Sequence, residues 1–122
     1  MNLHISTRRI SPDIIVVDLA GRLTVGPEND ALEAIIRDLV GRNERKIILD
    51  IARVDYIDSK GMGSLAYCLT KLRQVNGELR LAGAAGKLQS LFTITRLDSI
   101  LDFYASVDTA ARSFLLAGPS EA

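Results

Sequence analysis

Apolar residues recur along the chain with two periods, one typical of strands and the other typical of helices. Residues 13–21 (DIIVVDLAG) and 46–51 (KIILDI) are short, largely apolar runs that predict strands buried within a sheet. Residues 3–9 alternate apolar with polar side chains, which predicts a half-buried edge strand. Because the turn-forming sequence SPD at 11–13 joins residues 3–9 to the next strand, we expect these two strands to pair as a hairpin.

Helical periodicity is present in two longer segments. Residues 28–40 and 60–75 carry apolar side chains at spacings of three and four, which is the pattern of a helix with one buried face. Gly41 follows the first segment and the pair Asn76-Gly77 follows the second. Both endings are typical of helix C-termini, since these residues tolerate the left-handed backbone conformation.

The rest of the chain predicts a further cycle of strands and helices. The predicted elements are a strand over 78–83, a short helix around Leu88, Leu91 and Phe92, a strand over 100–105 and a final helix from Ser106 to about Leu116. We therefore predict one α/β domain over residues 1–117, with a mixed, mostly parallel sheet of four to five strands, about four helices and an N-terminal hairpin. Residues 118–122 are expected to form a flexible tail.

Composition and charge narrow the classes of partner. The 122 residues include 15 basic and 15 acidic side chains, so neither a nonspecific nucleic-acid surface nor a polybasic membrane anchor is expected. The first residues lack the apolar run of a secretory signal, and no apolar segment approaches the roughly 18 residues that cross a bilayer. The single cysteine, Cys68, lies among apolar helix positions and is expected to be a buried thiol, which fits a cytoplasmic protein.

The stretch DYIDSKGMGSLAYCL, residues 55–69, places polar residues at a predicted junction of strand and helix. A serine at such a turn suggests a hydrolase nucleophile, but Ser59 lacks the G-x-S-x-G pattern, and the only histidine, His4, lies in the first strand. Asp55 and Asp58 are a weak indication of a metal site, because no third oxygen donor has an obvious spacing. Catalysis and metal binding therefore stay minor alternatives.

A nucleotide site is a further alternative. Residues 61–66 match G-x-G-x-x-A, the glycine pattern of dinucleotide-binding turns. Six or more residues separate this pattern from the apolar run 46–51, and no acid is placed after the next strand to bind a ribose. We therefore expect no bound cofactor.

Regulation by charge is the interpretation that the residues favour. Ser59 is predicted to cap the following helix, with its oxygen accepting from the amide of residue 61 or 62. The amides and the dipole at a helix N-terminus also stabilise an anion. A phosphoryl group on Ser59 would add about 1.5 to 2 negative charges beside Asp58 at pH 7, so that the fold would survive while an interface failed.

Nearly the whole chain resembles a known family. Residues 46–101 resemble the core of a STAS domain, and in particular the bacterial anti-sigma factor antagonists. The matching features are an apolar strand ending in Asp50, a D-S-x-G-x-G turn from Asp58 to Gly63, a leucine-rich helix, a strand ending in LAG, and a short helix before RLDSIL. Residues 16–36 match the family's second strand, G-x-L turn and first helix.

This resemblance implies a partner switch. In the family, the dephosphorylated antagonist binds a cognate anti-sigma factor, often a serine kinase, and thereby releases a sigma factor. The kinase phosphorylates the serine of the D-S turn, and a serine phosphatase restores it. The resemblance implies that Ser59 is the phosphoacceptor and that this chain is a kinase substrate and not an enzyme. We expect a monomer or a weak dimer.

The resemblance also implies a partner-binding surface. Its residues would be Asp58, Lys60, Gly61, Met62 and Gly63 at the start of the helix, with Leu23 and Thr24 from the earlier loop. The two glycines would allow the backbone of a kinase or partner to approach closely.

Two positions depart from the family pattern. Lys60 stands where the residue after the serine is usually small, and Thr24 stands where an acid often follows the G-x-L turn. The ammonium of Lys60 is able to pair with a phosphate, so the kinase preference is expected to differ. The alternative is a STAS domain that binds its partner without a kinase, as a signalling scaffold or a transporter-associated subunit.

Overall fold

Five strands form a single mixed sheet in the computed structural model, which describes residues 3–84 and 86–116. The strands are β1 (Leu3–Ser11), β2 (Ile14–Leu23), β3 (Lys46–Ile57), β4 (Glu78–Ala82) and β5 (Asp102–Tyr104), and the helices are α1 (Pro27–Gly41), α2 (Ser59–Arg73), α3 (Lys87–Ile94) and α4 (Val107–Leu116), with a 3₁₀ helix η1 (Leu97–Ser99) before β5. The predicted α/β architecture and hairpin are confirmed. The predicted tail, 118–122, lies outside the described residues.

The strands follow one another across the sheet in chain order. β1 pairs with β2 in antiparallel orientation, and every later neighbour is parallel. Parallel strands need crossover connections, and the segments containing α1, α2 and α3 supply them. The carboxyl ends of β2, β3 and β4 therefore lie along one edge of the sheet.

Two apolar layers cover the two faces of this sheet. The larger layer packs α1, α2 and α3 against alternate strand residues such as Val17, Leu49 and Leu81. The smaller layer packs α4 against the intervening residues, including Val16 and Ile48. Because both faces are covered, β2 and β3 are apolar at consecutive positions in their first halves, which is why the sequence shows continuous apolar runs there.

Strands β2 and β3 extend beyond the lengths that the sequence indicates. β3 continues from residue 51 to Ile57, and β2 continues to Leu23, so the predicted loop after β2 is shorter than expected. The pairing register shifts between Asp18 and Ala20 and again between Gly21 and Arg22. These irregularities break the two-residue alternation of buried side chains, which explains why the sequence pattern does not reveal the extensions.

The lone cysteine is confirmed as a core residue. Cys68 lies on the inner face of α2 with no exposed surface. Burial raises the pKa of its thiol to about 12, so the group stays neutral at physiological pH. None of the helices in the described part of the chain has both the length and the apolar character needed to cross a membrane.

Candidate functional site

The candidate site lies where β2 and β3 end side by side. Leu23 and Ile57 are paired at the ends of these parallel strands, so the loop after β2 and the start of α2 leave the sheet at the same edge. Asp58 alone separates β3 from α2, which begins at Ser59. The structure therefore brings together the two segments that the sequence analysis selected, 58–63 and 23–24.

Asp58 joins these two segments through its carboxylate. One oxygen, Oδ1, accepts a hydrogen bond from the amide of Gly61 at 2.8 Å and so caps α2. The other, Oδ2, accepts from the amide of Val25 at 3.0 Å and holds the loop after β2. The amides of Gly61 and Val25 lower the pKa of Asp58 from its ordinary value, because both bonds favour the ionised form.

Ser59 is not the helix cap, and the prediction that it is the cap is wrong. It occupies the first position of α2 and is exposed, whereas Asp58 has the extended backbone and the acceptor bond of a cap. The aspartate takes this position because its carboxylate reaches the amide of Gly61 while also reaching the neighbouring loop. Within the described residues, the exposed Ser59 hydroxyl makes no hydrogen bond.

The two glycines of the turn have different roles. A Cβ on Gly61 would lie 2.2 Å from the carbonyl oxygen of Leu23, so the close approach is to this chain's own β2. A Cβ on Gly63 would meet nothing within 4 Å, and this residue is exposed. The expectation that both glycines admit a partner's backbone is therefore corrected for Gly61, which is buried and needed for packing.

The other expected site residues divide into buried and accessible ones. Leu23 has no exposed surface and Met62 only 9%, so both side chains belong to the core rather than to a docking surface. Lys60 is exposed beside Ser59, and Thr24 is half-buried in the loop. The accessible part of the expected surface consists of Lys60 and Gly63, which are exposed, and of Asp58 and Thr24, which are half-buried; it adjoins the exposed Ser59.

Val25 and Arg22, for which the sequence predicts no role, lie near the site together with Tyr56. Val25 is 71% exposed and Tyr56 is 45% exposed, so both side chains are accessible beside the start of α2. The guanidinium of Arg22 lies 4.6 Å from the centroid of the Tyr56 ring, a cation–π distance. Arg22 and Tyr56 meet only through the irregular pairing of β2 with β3, so no local sequence signal marks them.

A buried polar network lies between α1 and α2 behind this surface. The hydroxyl of Ser64 donates to Oε2 of Glu33 at 2.6 Å and accepts from Nδ2 of Asn29. Ser64 is 1% exposed, so it is not an accessible acceptor for a kinase. These bonds fix α1 against α2 and thereby fix the loop that Asp58 holds.

The geometry gives little support to the catalytic alternatives. β3 extends beyond the apolar run 46–51 to Ile57, so the separation of that run from Gly61 does not by itself exclude a nucleotide turn. The packing of Gly61 against the Leu23 carbonyl instead accounts for this glycine. Both oxygens of Asp58 are occupied by backbone amides. Among the described residues, no three histidine, cysteine or acidic side chains form a group that could hold a metal ion.

Comparison with known proteins identifies the family. A family model for the STAS domain matches residues 6–110, which include most of β1, the other four strands and the candidate site. The chain belongs to the STAS domain family. The D-S-x-G-x-G turn is therefore the start of the second helix of a STAS domain, with Asp58 as its cap.

Named relatives of this STAS domain are described as anti-sigma factor antagonists. It is 36% identical over 90 residues to BtrV of Bordetella bronchiseptica, described as a proposed anti-sigma factor antagonist, covering 74% of this chain and 78% of BtrV. It is 33% identical over 107 residues to the anti-sigma-B factor antagonist of Listeria monocytogenes, covering 84% and 89% of the two chains.

Solved structures confirm the fold. The unphosphorylated form of the anti-sigma factor antagonist SpoIIAA superposes with a TM-score of 0.70 at 17% identity, over 90% of this chain and 96% of SpoIIAA. The phosphorylated form of Bacillus SpoIIAA superposes with a TM-score of 0.69 at 18% identity, over 91% of this chain and 100% of that one. This STAS domain is thus similar to a fold known in both phosphorylation states.

The two glycines of the turn provide a matched pair of variants. We expect Gly61→Ala to destabilise the STAS domain by about 1–3 kcal/mol, because its Cβ overlaps the Leu23 carbonyl. We expect Gly63→Ala to stabilise it by up to about 1 kcal/mol, because alanine favours a helix and the space is open. Urea denaturation measures both, and equal effects of the two changes would contradict the packing assigned to Gly61.

The cap assigned to Asp58 predicts a dependence of stability on pH. Asp58→Ala should cost about 1 kcal/mol at pH 7, because α2 loses its cap and the loop loses its anchor. Since the folded-state pKa of Asp58 is lowered, this stability is present above the ordinary carboxyl pKa of about 4 and is lost as the pH falls through the lower folded pKa. Asp58→Asn should lose less stability, because the amide oxygen of asparagine can still accept a hydrogen bond from the amide of Gly61.

Urea denaturation of the three proteins from neutral to acidic pH checks this prediction. The gap between wild type and Asp58→Ala should narrow as the pH falls below about 4. A gap that stays constant with pH would mean that the ionised carboxylate does not make the stabilising contacts.

Proposed function

We propose that this STAS domain is an anti-sigma factor antagonist whose binding to an anti-sigma factor is switched off by phosphorylation of Ser59. The observation that carries the proposal is the exposed Ser59 hydroxyl at the first position of α2, released from capping by Asp58. The names of the Listeria relative and of SpoIIAA support the regulatory class.

The position of Ser59 makes a phosphoryl group compatible with the fold. The group would replace no existing hydrogen bond, because Asp58 already supplies the cap of α2. A negative charge in the first turn of a helix is favourable, since it interacts with the positive end of the helix dipole. The ammonium of exposed Lys60, the next residue, would offset part of the added charge.

The same position makes a phosphoryl group disruptive at an interface. Asp58 is ionised at physiological pH, since the ordinary carboxyl pKa of about 4 is far below it and the two amides lower the pKa further, so a second anion would stand beside an existing one. The exposed apolar side chains of Val25 and Tyr56 would be covered by a docked partner, and a hydrated phosphate beside them would have to lose water. Repulsion and desolvation both oppose binding.

The docking surface is held in place before a partner arrives. The bond from the Val25 amide to Asp58 links the loop to the start of α2, and Gly61 packs this helix against the end of β2. A surface that needs little ordering loses less entropy on binding. We therefore assign recognition to Thr24, Val25 and Tyr56, with Ser59 as the switch.

The cognate partners would be a serine kinase of the anti-sigma factor class and a serine phosphatase, and the exchange would take place in the cytoplasm. Lys60 follows the acceptor directly and is the residue best placed to alter the preference of this kinase. Thr24, in the loop that Asp58 anchors through Val25, is placed to contact the same partner.

Variants of Ser59 test the switch. Ser59→Ala immobilised on a column should retain an anti-sigma factor from a lysate of the native cells, identified by mass spectrometry. The Ser59→Asp variant should retain about tenfold less anti-sigma factor, because a fixed negative charge stands beside Asp58. Its thermal unfolding should stay near that of wild type, since an acid in the first helical turn is favourable.

Ser90→Asp is the matched control, because it adds the same charge at an exposed position on α3. It should retain the anti-sigma factor as the wild type does. Equal retention by Ser59→Asp and Ser59→Ala would contradict the switch and would favour a STAS domain that binds without a kinase. A large fall in the unfolding temperature of Ser59→Asp would instead make Ser59 a structural residue.

A further inference from the structure

A cavity of about 380 Å³ lies at the β5 edge of the sheet, built from elements other than those that hold Ser59. One wall is β5, and the other walls are α3 and the segment that follows it through η1. Its size falls within the range of pockets that bind small ligands or peptide side chains.

The inner part of this cavity is apolar. Phe92 is 1% exposed and Leu101 is 3% exposed, and both line the cavity. The Phe92 ring packs against the Phe103 ring with centroids 4.8 Å apart. An apolar side chain that entered this cavity would contact two aromatic rings and would be removed from water.

The β5 strand also offers backbone groups at this edge. β5 is hydrogen-bonded to β4 alone, and the carbonyl of Tyr104 accepts from the amide of Gly83 at 3.0 Å on that side. Because successive residues of a strand direct their backbone groups to opposite sides, the N–H and C=O of Phe103 face away from β4. Such groups at a sheet edge are available to pair with another extended chain.

The polar rim of the cavity is acidic. Asp98 and Asp102 line it, and none of its lining residues is basic. Among the ion pairs of the described residues, neither carboxylate has a partner. Arg80, the cation that reaches the Tyr104 hydroxyl, is already paired with Glu78 at 3.0 Å. The rim therefore favours a positively charged group.

The residues of β5 direct their side chains alternately to the two faces of the sheet edge. Phe103 pairs with Leu81 on the face that α3 covers, whereas Tyr104 pairs with Ala82 on the face that α4 covers. Asp102 shares the face of Tyr104, because it is two residues away along the strand. An added strand with alternating apolar and basic residues would match both faces.

We propose that this cavity binds an extended peptide segment of a partner protein, one in which lysine or arginine alternates with apolar residues. The segment pairs its backbone with Phe103, places an apolar side chain against Phe92, and directs a cation to Asp98 or Asp102. The proposal does not depend on the Ser59 switch, because neither β5 nor α3 contributes to the site at the start of α2.

Titration of the ¹⁵N-labelled full chain with the peptide Ac-Val-Lys-Val-Arg-Val-NH₂ tests this proposal by NMR. Amide shifts should concentrate in 89–104, with a large shift at the Phe103 amide. Asp98→Asn with Asp102→Asn should weaken binding about tenfold or more, because both carboxylates are lost. The matched control, Asp38→Asn with Asp108→Asn, changes the net charge equally at exposed helix positions and should leave binding unchanged.

Three results would overturn the proposal. One is equal binding of the peptide with glutamate in place of lysine and arginine. A second is equally tight binding of N-acetyl-lysine amide, which would make the cavity a site for a small organic cation. The third is a shift of 89–104 with protein concentration alone, which would assign this edge to a second copy of the chain. Retained binding by Ser59→Asp would show that this site acts separately from the switch.

Discussion

The arrangement of the site depends on one carboxylate that accepts two backbone amides. Asp58 binds the amide of Gly61 in its own helix and the amide of Val25 in the loop after β2. These two bonds add to the packing of Gly61 against the Leu23 carbonyl, which also holds the start of α2 at the end of β2. With them, the start of α2 and the loop form one surface, and the hydroxyl of Ser59 has no structural bond to maintain. We therefore assign the stability of the turn to Asp58 and its proposed regulation to the adjacent Ser59.

Much of the fold can be predicted from the sequence, because the burial of each strand and helix determines its order of apolar and polar residues. β2 and β3 are continuously apolar because helices cover both faces of the sheet. α1 and α2 carry apolar residues at spacings of three and four because each helix buries one face. The irregular ends of β2 and β3 cannot be predicted from the sequence of either strand, since a shift in pairing register depends on both strands. For the same reason, the contact of Arg22 with Tyr56 has no signature in either strand alone.

The candidate site shows where local sequence rules are ambiguous. Asp58 and Ser59 are both favourable caps, and the sequence alone does not choose between them. Asp58 is favoured as the cap because its carboxylate accepts a second hydrogen bond, from the amide of Val25, which lies 33 residues earlier in the chain. Gly61 and Gly63 are likewise equivalent in sequence, yet only Gly61 lies against the Leu23 carbonyl. In each case a contact between segments far apart in the chain decides the role.

The STAS domain thus presents two separate surfaces with different chemistry. The start of α2 combines the exposed Ser59 with exposed Val25 and Tyr56, while the β5 edge combines an acidic rim with aromatic side chains. A partner bound at one surface need not cover the other, since they are built from different elements. Such a separation would allow a second protein to stay bound while the switch changes state.

The central claim is that Ser59 is the residue that is modified. Intact mass spectrometry with peptide mapping, applied to the protein from its native cells before and after incubation with ATP and cell lysate, tests it directly. We expect a single phosphate on the peptide that contains Ser59, removed by a serine phosphatase. A phosphate on another residue, or none under any growth condition, would contradict it.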